Sequence, residues 1–65
     1  MHLTHTQKNA LKEIVSMAMK QYPHEYDKAQ ESAIMNANEL SKEENLNSDY
    51  LEHIIESYVN ERINL

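Results

Sequence analysis

The 65-residue chain contains no glycine, cysteine, phenylalanine or tryptophan, and it has a single proline, Pro23. Without glycine the chain lacks the usual residue for left-handed turns, tight hairpins and sheet bulges. The same absence removes the Gly-x-Ser-x-Gly elbow, the oxyanion loop and the backbone phosphate cradle, so Ser16, Ser32, Ser41, Ser48 and Ser57 have no nucleophile context. Zero cysteines exclude a disulfide framework and any thiolate zinc site. No apolar run approaches ~18 residues and no apolar signal core follows a basic start, so the expectation is a soluble, cytoplasmic protein.

What is present reads as helix. Apolar residues make up 40% of the chain and charged residues 26%, with a periodicity that argues against intrinsic disorder. One domain spanning residues 1–65 is the only sensible count. A domain of this size buries roughly 60% of its unfolded surface, so stability is marginal unless a partner or second copy adds buried area.

The spacing predicts a first helix over about 6–21. Thr4 and Gln7 have the spacing of a capping box. Leu11, Ile14, Val15, Ala18 and Tyr22 gather into one stripe, flanked by Met17 and Met19, with Lys12, Ser16 and Lys20 opposite. Pro23 disfavours helical geometry at Tyr22 and fits the first position of a second helix over about 23–42. The alternative is one long helix kinked at Pro23. Tyr26, Ala29, Ala33, Ala37 and Leu40 form the apolar face of the second helix, and the three alanines permit close helix approach. Ile34 borders that face and Met35 lies nearly opposite it.

The connection Glu43–Ser48 offers Asn45 or Asn47 as the left-handed residue in place of glycine. Ser48 reads as the N-cap of a third helix over about 48–63, followed by Asp49, which suits the positive helix end. Leu51, Ile54, Ile55 and Tyr58 make its apolar face, with Tyr50 and Val59 at the flanks and Arg62 near its end. The fold class is therefore all-α: a compact three-helix bundle with short connections, broken near Pro23 and over Asn45–Ser48. Its competitor is a helical hairpin that completes its core by dimerising. A homodimer is also suggested by apolar surplus, because Met17, Met19, Ile34, Met35, Val59, Ile63 and Leu65 do not all fit inside so small a monomer.

The formal net charge is −5, unevenly spread. Residues 1–28 carry four lysines against three carboxylates, a balance of +1, whereas residues 29–65 carry Lys42 and Arg62 against eight carboxylates, a balance of −6. An acidic majority repels a polyphosphate, so direct nucleic-acid binding is disfavoured and a basic protein partner fits better. On the third helix Asp49, Glu52 and Glu56 stand at i, i+3 and i+7, and Glu39 and Glu43 form an i, i+4 pair on the second. Each such like-charge pair costs a few tenths of a kcal/mol. Carboxylates one turn apart lie ~5–6 Å from each other, close to phosphate spacing, but five lysines and Arg62 interrupt any phosphate mimicry.

Other constellations are weaker. His2 and His5 at i, i+3, with His24 nearby only if the fold allows, lack a carboxylate or cysteine ligand. His53 and Glu56 are better explained as surface ion pairing than as half of a paired-helix metal site. No metal, cofactor or catalytic residue is expected, and the protein reads as a non-enzyme. The expected function is a small acidic protein-binding module, a regulator or inhibitor acting through one helical face, with Met19, Ile34, Met35 and Tyr50 as apolar contacts amid Asp49, Glu52 and Glu56. The alternative class is a helix-turn-helix-like nucleic-acid-binding domain or an acidic nucleic-acid mimic; the former would need a basic third helix, and this one is acidic.

Overall fold

A computed structural model describes residues 3–63. Three helices follow one another: α1 (His5–Gln21), α2 (Tyr26–Glu44) and α3 (Ser48–Ile63). Short connections make neighbours antiparallel, so α1 and α3 run parallel. The central helix α2 packs extensively on both, and α1 touches α3 less. The Cα radius of gyration, 11.0 Å, is that of a close-packed chain of this length, about 10.7 Å. The expected three-helix bundle is therefore the observed one. The pair His2 and His5 and the terminal Leu65 fall wholly or partly outside the described residues.

Each helix end has a specific device. Thr4 caps α1 in extended geometry, its Oγ1 accepting the Gln7 N–H at 3.1 Å while Gln7 Oε1 accepts the Thr4 N–H at 2.9 Å. This is the capping box read from the sequence, with the helix starting one residue earlier than expected. The Gln7 amide also donates to Glu44 Oε2 at 3.3 Å, which ties the start of α1 to the end of α2.

Pro23 does not open α2, contrary to the sequence expectation of a second helix from residue 23 to 42. It occupies the second position of a turn in which the Glu25 N–H donates to the Tyr22 carbonyl at 3.3 Å. A fixed proline φ suits that turn position as well as it suits a first helical turn. Tyr22 takes φ −126°, ψ 67°, outside helical space as a residue before proline prefers. The second helix then runs from Tyr26 to Glu44 with no side-chain cap at Glu25.

The two asparagines divide the second connection. Asn45 adopts the left-handed conformation, φ 56° and ψ 44°, the only non-glycine positive φ among the described residues. Behind it the Leu46 N–H reaches back to the Ser41 carbonyl at 3.0 Å, the long bond of a Schellman closure. Asn47, not Ser48, caps α3: its Oδ1 accepts the Tyr50 N–H at 3.1 Å, and its carbonyl accepts the Leu51 N–H. The asparagine side-chain oxygen reaches the third helical amide, and Ser48 becomes the first helical residue instead.

The core is built on rows spaced by four. Leu11 and Val15 of α1, Ala29, Ala33 and Ala37 of α2, and Leu51, Ile55 and Val59 of α3 are buried, together with Ala18 and Leu3. Ser41 extends the alanine row and is itself buried, its hydroxyl donating to the Leu46 carbonyl. Small side chains along α2 let the larger residues of α1 and α3 close over it. Three sequence expectations shift. Val59 is core and not flank, Tyr58 is half-buried, and Tyr26, on the first turn of α2, remains 44% exposed. Leu3, which precedes the first helix, joins the core unannounced by any periodicity.

Candidate protein-binding surface

Helical spacing decides which side chains share a face. On α2, Asp27, Ile34 and Glu31 turn away from the alanine row, and Met35 lies farther round, 66% exposed. Ile34 is half-buried and packs against the core. Together with Glu52 of α3 these residues line a shallow hollow of 320 Å³ between the two helices. Glu52 also belongs to a second hollow of 400 Å³, formed with Asp49, His53 and Glu56 along α3. The shared residue makes the two hollows one continuous surface.

That surface carries Asp27, Glu31, Asp49, Glu52 and Glu56, and no lysine or arginine lines either hollow. Lys28 stands next to it and pairs with Glu25 at 3.5 Å, an exposed contact worth little to stability. The carboxylates lie on exposed or half-buried positions, so their fields extend into solvent. Among the described residues no cluster of three or more histidine, cysteine, aspartate or glutamate side chains is arranged to hold a metal ion. Every buried side-chain nitrogen or oxygen among them has a hydrogen-bond partner.

The seven residues singled out from sequence are therefore not one patch. Ile34, Met35, Asp49, Glu52 and Glu56 come together on the α2–α3 face. Met19 and Tyr50 belong to the other side of the molecule, between α1 and α3, where both are half-buried against the core. There Lys12 Nζ sits 5.7 Å from the Tyr58 ring centroid, within cation–π range. Met19 is two turns from Lys12 along α1, and Tyr50 two turns from Tyr58 in the opposite direction along α3. Parallel helices thus separate Met19 and Tyr50 by roughly 20 Å. Burial raises the Tyr58 phenol above its ordinary value, with Glu61 and then Tyr50 adding to the effect.

A feature missing from the sequence-derived set is a groove between α1 and α2. It has a volume of 680 Å³ and is lined by Ile14, Met17, Ala18, Lys20, Asn36 and Glu39 among others. Met17 is 64% exposed there. The signal existed in its position beside the α1 stripe, but spacing alone did not rank it above Met19, its near neighbour in sequence on the opposite flank.

Compared with protein-family models, curated proteins and solved structures, the chain matches none. Function here rests on the surfaces themselves. No helix among the described residues is long and apolar enough to cross a membrane.

Proposed function

We propose that this protein is a binding module, a cytoplasmic regulator or inhibitor that docks a basic protein through its α2–α3 face and performs no chemistry of its own. One observation carries the reading: Met35 is 66% exposed at the edge of two adjoining hollows lined by five carboxylates, with Lys28 the one cation of a neighbouring hollow that Met35 also lines. A flexible thioether beside a mainly acidic surface suits a contact in which an apolar anchor fixes position and a charged rim selects the partner. Ile34 backs Met35 with partly buried apolar surface, so the anchor sits on a packed base.

The same charge distribution weighs against a nucleic-acid-binding role. The third helix, where a three-helix unit would place its reading surface, carries Asp49, Glu52, Glu56 and Glu61 against Arg62, and a phosphate backbone would be repelled.

The test is titration against the partner recovered from the native host, with purified components. Met35→Asp should weaken binding by about tenfold or more, as loss of a central anchor does. Glu52→Lys should slow association most strongly at low ionic strength. Binding that survives both substitutions and shows no salt dependence would overturn the reading.

A further inference from the structure

We propose that the groove between α1 and α2 is the contact surface for a second copy of this chain. The groove is apolar at its floor, where Ile14 and Ala18 meet the exposed Met17. Two adjacent helices of 17 and 19 residues present a face about 25 Å long and 20 Å wide. That is about 500 Å² in projection and more in accessible surface, near the lower end of what a specific interface takes from each partner.

Charge selects the occupant. The charged residues lining this groove are one cation, Lys20 of α1, and one anion, Glu39 of α2. In a molecule of formal charge −5 this is a locally neutral surface, whereas two α2–α3 faces brought together would oppose five carboxylates to five. The helices are antiparallel and Gln7 meets Glu44, so Lys20 stands level with the region of Glu31, and Glu39 with that of Lys12. Lys20 and Glu39 therefore occupy diagonal corners, about 12 Å apart along the helix axes. A two-fold rotation that exchanges these corners sets Lys20 of each copy against Glu39 of the other, and forms the pair twice. Met17 then has the floor of the opposite groove to enter.

The proposal uses the α1–α2 groove and no residue of α3, although the groove adjoins, through Ser32 and Asn36, the hollow that Met35 lines with Lys28. It is tested by sedimentation equilibrium of the full chain across the micromolar to millimolar range. The wild-type mass should rise from 7.6 kDa toward twice that value. Met17→Asp, at an exposed position, should keep the helical circular dichroism and weaken dimerisation by about thirtyfold or more. Lys20→Glu and Glu39→Lys should each weaken it by about tenfold, and the double exchange should recover most of the loss. Glu56→Lys, on α3, should leave the dimer unchanged, which separates this result from failure of the α2–α3 reading. A chain that is monomeric throughout, a dimer indifferent to Met17→Asp, or a double exchange no better than the single changes would each overturn it.

Discussion

Asn45 has the work that glycine would do elsewhere. A left-handed residue with a side chain costs roughly 1–2 kcal/mol for most amino acids, and asparagine less. Asn45→Ala should therefore lower stability by about 1 kcal/mol, whereas Asn45→Gly should be neutral or slightly stabilising. Urea unfolding midpoints at constant slope would show both. The opposite ordering would mean that the asparagine side chain, and not the backbone shape, holds this turn. Tyr58 gives a second prediction at the same scale. Its phenol is raised by burial, by Glu61 and by Tyr50, so the folded state disfavours the phenolate relative to the unfolded chain. The unfolded state then loses its proton first, and stability is fully present below pH 10 and declines as pH rises above it. Tyr58→Phe should flatten that alkaline decline, read from unfolding midpoints at pH 9 and 11.

At the scale of the helix, the row Ala29, Ala33, Ala37 and Ser41 sets how closely the three elements approach. Ala33, wholly buried in mid-row, has no room to grow. Ala33→Leu should cost about 1–3 kcal/mol by overpacking, although leucine is nearly as good a helix former. A stable variant with an unchanged midpoint would show that α2 can shift outward without loss. Helix number and most of the apolar faces were legible in the sequence, because Leu11, Val15, the alanines, Leu51 and Ile55 repeat with helical spacing. So was the capping box at Thr4 and Gln7. What eluded sequence reading was local competition between equivalent solutions. Proline fits a turn position and a first helical position alike, and neighbouring Asn47 and Ser48 both make good caps. Periodicity could not decide between Tyr58 and Val59, which both border the same stripe; in the folded chain the smaller is buried and the larger half-buried. Leu3 lies before any periodic segment, so only the tertiary fold reveals that it is core.

For the whole molecule, the division of surfaces is the result that composition could not supply. Net charge and apolar surplus gave only the expectation of a partner, and separating Met19 and Tyr50 from the patch of Met35 required knowing which flank of each helix meets which neighbour. With the faces separated, the acidic hollow lined by Asp49, Glu52, His53 and Glu56 stands apart from the groove between α1 and α2. Affinity for the partner should fall as ionic strength rises from about 0.05 to 0.5 M, because salt screens exposed charge. An affinity constant across this range would rule out an electrostatic contribution from the α2–α3 face.

The two tight connections, one around Pro23 and one around Asn45 and Asn47, also bear on how quickly the molecule assembles. Helices adjacent in sequence are the ones that pack most, and α1 and α3, the most distant pair, share the smaller contact. Few contacts must wait for a long loop to close, and topologies of this kind fold in microseconds to milliseconds. A temperature-jump relaxation should fall in that window. The native faces described above are then surfaces that re-form rapidly after each opening, on a timescale short beside the lifetime of most complexes they would enter.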